Sequence, residues 1–257
     1  MLKKKRAKIA LSLIFFLVLL AQPIIHGAQE NINELVEANP PNTVLKEGPV
    51  VRTKKPTPPP PPPPAPPAPK KKVALTFDDG PDLRYTPQLL EILRTEEVVA
   101  TFFVLGERVE HYPEIVKRIA QNGHLIANHS RTHTDFEYLS NEEILSLELE
   151  PTSKAVEQLT GYYPQIMRPP YGSLRGDSVR FLNGEGWKIV RWSLDTFDWD
   201  QTRNKPAQII DRISVLHHPN AIVLMHCNNK VTVEVLPEVI RTLRLLGYDF
   251  VTVTQLD

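Results

Sequence analysis

The 257-residue chain has one cysteine, Cys227, which excludes an intramolecular disulfide and does not settle the redox compartment. It has no net charge, since 30 Lys and Arg balance 30 Asp and Glu. The zero conceals an asymmetry: residues 1–72 carry 12 basic and 4 acidic side chains, whereas residues 73–257 carry 18 and 26. The basic part is separate from the part able to fold, so no nucleic-acid-binding face is implied. A confident membrane span is also missing. Ile9 to Ala21 is an almost unbroken apolar stretch, but a full crossing needs about 20 such residues. No clean small-x-small cleavage site follows: Ile25-His26-Gly27 is a poor match, and Pro23 stands close behind Leu19-Leu20-Ala21.

What is present at the N-terminus reads as export. Lys3, Lys4, Lys5, Arg6 and Lys8 precede the apolar stretch, and no amphipathic face marks it as a core helix. Residues 1–27 are therefore expected to be a signal peptide, or a membrane anchor whose basic end stays in the cytoplasm. Residues 28–72 are expected to be a linker. Pro56 to Pro69 includes seven consecutive prolines, Pro58 to Pro64, and such a run extends as a polyproline rod of ~3.1 Å per residue. A stalk carrying the domain into a cell wall is the reading preferred over a docking motif for a proline-binding partner. The protein would then act outside the cytoplasm, secreted or membrane-anchored. The sequence makes no obligate protein partner evident.

Residues 73–257 suffice for one domain with a sizeable core. Short apolar runs alternate there with amphipathic stretches. Strands are predicted over 73–77, 100–105, 124–127, 165–168, 188–193, 221–225 and 250–253, and helices over 87–96, 113–121, 141–159, 177–183, 206–217 and 235–246. This alternation predicts an α/β fold with a parallel sheet, either a barrel or a doubly wound sheet.

Five motifs fall at the ends of predicted strands, where βα folds gather reactive groups. Asp78 and Asp79 follow the first. Adjacent carboxylates repel, so one is expected to bind a cation and the other to act as a base, although Asp79-Gly80-Pro81 is also strong turn chemistry. His129 and His133 follow the third. At i and i+4 they would share one face of a helical turn and reach one metal, and a distant Asp would complete three protein ligands. Ser130 stands where the metalloprotease H-E-x-x-H has its glutamate, which excludes that motif. Arg168-Pro169-Pro170-Tyr171-Gly172 is a stiff loop whose Tyr171 amide could donate to an oxyanion; its plainer reading is a structural turn. Asp195-Thr196-Phe197-Asp198-Trp199 offers an apolar wall in Trp199 and a carboxylate, Asp198, able to orient a histidine. Leu224-Met225-His226 ends the sixth strand. There His226 suits a general acid, although taken alone it reads better as a satisfied core histidine.

Together, in this order, the motifs resemble the polysaccharide deacetylases with a NodB-type domain, carbohydrate esterase family 4, and especially the bacillus-type enzymes acting on peptidoglycan N-acetylglucosamine. The resemblance covers residues 73–257. It implies a distorted (β/α) barrel of about seven parallel strands and a hydrolase that removes N-acetyl groups from a polysaccharide, releasing acetate. It assigns Asp79, His129 and His133 to a metal, zinc first, with other divalent ions such as cobalt as alternatives. It makes Asp78 the base, held by Arg168; Tyr171 an oxyanion donor and substrate contact; His226 the acid, tuned by Asp198; and Trp199 and Leu224 the walls around the acetyl methyl. Peptidoglycan is the first expectation for the substrate, with chitin-like, xylan or exopolysaccharide chains, or a wall-binding pseudoenzyme, as alternatives. Cys227 departs from the acidic residue that many relatives carry there.

Overall fold

In a computed structural model the described residues are 71–256; the expected signal or anchor and most of the expected linker lie outside them. The first strand, β1 (Lys71–Gly80), is buried from Val73 to Asp78, as expected of a central parallel strand covered on both faces. It pairs with β7 (Ala221–His226) in the register Val73↔Ala221 to Asp78↔His226, and with β2 (Thr101–Val104) from Thr76 onward. Beyond β2 lie β3 (Leu125–Asn128), β4 (Ile166–Met167) and β5 (Lys188–Ile189), and beyond β7 lies β6 (Leu194–Asp195). The order is β5-β4-β3-β2-β1-β7-β6, with every pairing parallel, and β8 (Tyr248–Phe250) pairs with the start of β1. Seven parallel strands thus form a curled, incompletely closed barrel.

Helices α1 (Thr86–Thr95), α3 (Pro113–Gln121) and α8 (Lys230–Leu245) cover the sheet with apolar stripes. Leu89, Leu90 and Leu93, then Ile115, Val116 and Ile119, then Val235, Leu236, Val239, Ile240 and Leu243 are buried in one cluster with β1 and β7. The i, i+3, i+4 spacing of these residues is what makes each segment a helix rather than a strand. Helices α6 (Gly176–Gly184) and α7 (Pro206–Leu216) also lie where expected, within one or two residues.

Several elements differ from the sequence expectations. Of the predicted strand over 188–193 only β5 is strand: Val190–Ser193 leaves the sheet beside β4 and crosses to its other edge, where β6 pairs with β7. The predicted helix over 141–159 is α4 (Asn141–Glu143), a π-helical run (Ile144–Leu149) and α5 (Glu150–Thr160). Pro151 has no N–H to give the Leu147 carbonyl, and Glu150 N–H reaches back five residues to Leu145. Helix α2 (Gly106–His111) was not foreseen; it is short, with only Gly106 and Val109 buried. Helix α8 starts five residues early, capped by the Asn229 side chain accepting from Val231 N–H, and continues through Pro237. The last strand lies at 248–250 rather than 250–253.

His124, just before β3, is buried at the end of the barrel away from the motifs. Its Nδ1 accepts from Ala100 N–H at 3.2 Å, so the neutral ring carries its proton on Nε2, which has no partner among the described residues. Burial pushes its pKa down to about 4. The unfolded chain takes up this proton near pH 6.5 and the folded one only near 4, so stability falls as pH drops through that window. His124→Asn keeps an acceptor for Ala100 and removes the titration. Urea midpoints at pH 6.5 and 4.5 are expected to fall less for this variant than for the wild type.

Candidate active site and metal centre

Strand register assembles the site. Asp78 lies opposite His226, Asp195 opposite Leu224, Val104 opposite Asn128, and Asn128 opposite Met167. The residues that follow these positions therefore converge on one end of the barrel. The β1–β2 register shifts between Phe77 and Gly80, and Asp79 takes the left-handed backbone φ of 69°. That kink turns two consecutive carboxylates into different surroundings. Gly80 is required beside them: a Cβ there would run into Cys227 Sγ. Cys227 is 1% exposed, and both its N–H and its thiol donate to the Asp78 carbonyl, at 3.0 and 3.1 Å. Its thiol is thus packing and support for β1, and burial holds its pKa well above the ordinary value.

Asp78 is 2% exposed and receives Arg168 Nη1 at 2.7 Å. Arg168 is itself fully buried. The same nitrogen reaches Thr76 Oγ1, Nε and Nη2 reach the carbonyls of Val190 and Arg191, and the guanidinium lies 4.0 Å from the Phe103 ring centre. Burial depresses the Arg168 pKa and Asp78 opposes that. The guanidinium therefore ties β1 to the segment between β5 and β6 and supplies the countercharge for Asp78.

Asp79 Oδ1 is buried with no hydrogen-bond partner, yet His133 Nε2 and His129 Nε2 lie 3.3 and 3.5 Å from it. The three ligand atoms all lie within 4.8 Å of one another. Tetrahedral zinc with bonds of ~2.0–2.1 Å sets its ligand atoms roughly 3.3–3.4 Å apart, so the cluster fits a divalent ion. His129 Nδ1 lies 2.8 Å from the Arg168 carbonyl; donating there leaves Nε2 unprotonated for a metal. Burial would raise the Asp79 pKa, but the nearby imidazole of His129, with His226 and His133, brings it down to about 2. The expected helical turn between the two histidines is absent. Ser130 and His133 have φ of 75° and 64°, and the loop is held by Ser130 N–H on Asn128 Oδ1 and His133 N–H on Ser130 Oγ. The side chains converge because the loop doubles back.

Facing this cluster, His226 Nδ1 is 2.8 Å from Asp198 Oδ1, and His226 N–H donates to Asp198 Oδ2 at 2.7 Å. Asp198 is fully buried and also accepts from Thr232 Oγ1. Burial disfavours the imidazolium, but the hydrogen bond and charge of Asp198, with Asp78 and Asp79, raise the His226 pKa to about 9. Tyr171 has φ of 58° and sets its ring 4.7 Å from that of His133; it and Trp199 are exposed at the rim, while Leu224 is buried.

A cavity of about 740 Å³ is lined by Asp78, Asp79, His129, His133, Tyr171, Trp199, Leu224 and His226. Arg168 and Asp198 stand behind it. Tyr85, Trp192, Asp195 and Lys230 also line the cavity and were given no role from sequence. Asp195 lay inside a recognised motif, and burial raises its pKa. Tyr85 and Trp192 had no signal beyond being aromatic near a turn and near a strand end.

Three side chains able to hold a metal, a carboxylate paired with a buried arginine and a raised-pKa histidine in one open cavity are an arrangement suited to a hydrolase. The comparisons agree. The polysaccharide deacetylase family pattern matches residues 65–190. A peptidoglycan-N-acetylglucosamine deacetylase of Bacillus cereus is 37% identical over 187 residues, 71% of this chain and 67% of that one. The deacetylase PgdA of Listeria monocytogenes is 40% identical over 186 residues, 72% of this chain but only 39% of that longer protein. A solved structure of a carbohydrate esterase family 4 pseudoenzyme from Bacillus anthracis is 34% identical, with a TM-score of 0.67, covering 73% of this chain and 65% of that one. The chain belongs to the polysaccharide deacetylase family, whose members are metal-dependent. The pseudoenzyme likeness means that similarity alone does not separate an active member from an inactive one, and the side chains must.

Removing one imidazole leaves two protein ligands, a poor zinc site. His129→Ala and His133→Ala are expected to retain the fold by circular dichroism and lose most bound zinc, measured by elemental analysis after dialysis. Full occupancy in both variants would contradict the ligand assignment.

Proposed function

We propose that this chain hydrolyses the N-acetyl group of N-acetylglucosamine residues in a polysaccharide, with peptidoglycan as the substrate. The observation that carries the reading is the division of labour in the cavity: Asp78 and His226 are both available to move protons, and neither is needed by the Asp79–His129–His133 cluster. Zinc is the ion that best suits two imidazoles and one carboxylate; cobalt would fit the same set. When bound, the ion supplies a Lewis acid that polarises the acetyl carbonyl and lowers the pKa of water. Asp78, paired with Arg168, takes a proton from the attacking water as its oxygen bonds to the carbonyl carbon. The Tyr171 amide would donate to the resulting oxyanion. His226 then gives its proton to the sugar nitrogen as the C–N bond breaks, leaving acetate and a free amine. Asp198 holds that imidazole charged and oriented, and Trp199 and Leu224 would enclose the acetyl methyl.

Residues 1–27 would export or anchor the protein, and residues 28–72 would carry domain 73–257 outward. That places the cavity against wall glycan rather than cytoplasmic sugars. The folded part is acidic by formal count, so nonspecific attraction to an anionic wall would not hold it there. The pseudoenzyme reading loses ground because every proton-transfer and ligand side chain named above is present and positioned.

Asp78→Asn in the full-length protein tests the reading. The variant should keep its metal, lose hydrolysis by roughly 10²–10⁴-fold, and be less stable because Arg168 is left buried without its countercharge. Mass spectrometry of muropeptides should show glucosamine in cells making the wild type and less in cells making the variant. Equal deacetylation would remove peptidoglycan as the substrate; deacetylation of muramic sugars alone would correct the sugar.

A further inference from the structure

The loop carrying His129 and His133 is strained. Two non-glycine residues, Ser130 and His133, hold left-handed backbone, which costs on the order of 1–2 kcal/mol each. Something must fix the loop, and its internal bonds account for only part of that. On one side, Ser130 and Arg131 carbonyls accept from Gly106 and Glu107 N–H at the start of α2. On the other, three donors converge on a single carboxylate: Arg131 N–H and Thr132 N–H reach Glu148 Oε2 at 2.8 and 2.9 Å, and Thr132 Oγ1 reaches Oε1 at 2.7 Å. Glu148 is 5% exposed, and no cationic side chain among the described residues lies within ion-pair distance of it. A buried carboxylate satisfied wholly by the donors of one loop is costly to keep unless that loop matters.

We propose that Glu148 is a positioning residue for the metal centre: its carboxylate holds the backbone between the two histidines in the shape that lets both imidazoles reach the ion beside Asp79. The inference rests on the metal site proposed above and adds a residue outside the ligand set and outside all five motifs. It also gives the π-helical run a purpose. The extra residue per turn around 144–149 rotates Glu148 relative to a regular helix and changes which main-chain carbonyls are free. Leu149 O accepts from Asn128 Nδ2 at 2.8 Å, and Asn128 Oδ1 accepts from Ser130 N–H at 2.8 Å. Thr152 Oγ1 takes up the Glu148 carbonyl at 2.9 Å. One widened turn thus grips both the entry and the middle of the loop. A carboxylate is the side chain that fits, since it accepts three bonds and donates none; glutamine would turn an NH₂ toward one of the donors.

Cobalt titration of the metal-free full-length chain, followed by the visible absorption of the bound ion, tests the inference. Four proteins are compared: wild type, Glu148→Ala, Glu148→Gln and Val239→Ala. The last removes core volume in α8, away from the loop, and serves as a destabilised control. Partners that orient metal ligands typically contribute 10–100-fold in affinity. Glu148→Ala is expected to bind cobalt at least about tenfold more weakly than the wild type, with Glu148→Gln between them. Val239→Ala should lower the urea midpoint and leave the affinity unchanged. Wild-type affinity in the Glu148 variants would overturn the proposal and leave Glu148 a purely structural residue. Equal loss in Val239→Ala would overturn it too, by tracing the effect to general stability. If Glu148→Ala does not fold, Glu148→Gln decides. A wild type that binds no cobalt would sink the metal site itself, a separate and visible failure.

Discussion

The ion pair between Arg168 and Asp78 is the constraint on which the rest of the site depends. Both partners are buried, and a buried pair of this kind costs desolvation that only good geometry and further hydrogen bonds offset. Here the geometry is supplied by the sheet. Arg168 follows β4 and Asp78 ends β1, and the guanidinium spends its remaining donors on Thr76 and on the crossing segment between β5 and β6. The arginine that pairs with Asp78 thus also holds the segment linking β5 to β6. Catalytic electrostatics and the holding of that segment share one side chain.

That sharing separates two neighbouring aspartates that residue type and spacing alone leave equivalent and that only the family resemblance distinguishes. Asp78 faces inward and is committed to Arg168. Asp79, turned away by its left-handed backbone, faces the two imidazoles and has a lone buried oxygen. Opposite them, Asp198 sits fully buried behind the cavity, as Arg168 does, and its hydrogen bond and charge raise the pKa of His226. Two buried countercharges, one of each sign, therefore stand behind the proposed proton acceptor and proton donor on either side of the Asp79–His129–His133 cluster.

Much of this was legible in the sequence, for physical reasons that also set its limits. Apolar runs such as Val73–Phe77 and amphipathic stretches such as 113–121 identify central strands and covering helices because burial fixes their periodicity. The five motifs could be placed at one end of the barrel because parallel strands share a direction. The backbone between His129 and His133 could not be read: Ser130 and His133 take left-handed φ without being glycine, so the spacing mimics a helical turn. The break at Val190–Ser193 was hidden because nothing in Val190-Arg191-Trp192-Ser193 marks a turn, while its first two carbonyls turn to Arg168. Glu148 looks like one more acidic residue on an amphipathic helix, and its importance lies in a contact 16 and 17 residues back along the chain. Tyr85 and Trp192 enter the cavity through tertiary packing alone.

The central claim is that Asp78 and Asp79 do different work, with Asp79 on the metal and Asp78 kept off it by Arg168. A crystal structure of the zinc-loaded protein, with anomalous data collected at the zinc edge, tests it directly. The account predicts one strong peak at ~2.0–2.2 Å from an Asp79 carboxylate oxygen and from Nε2 of both His129 and His133, with Asp78 still paired to Arg168. A peak coordinated by Asp78, or no peak between the two histidines, would contradict it.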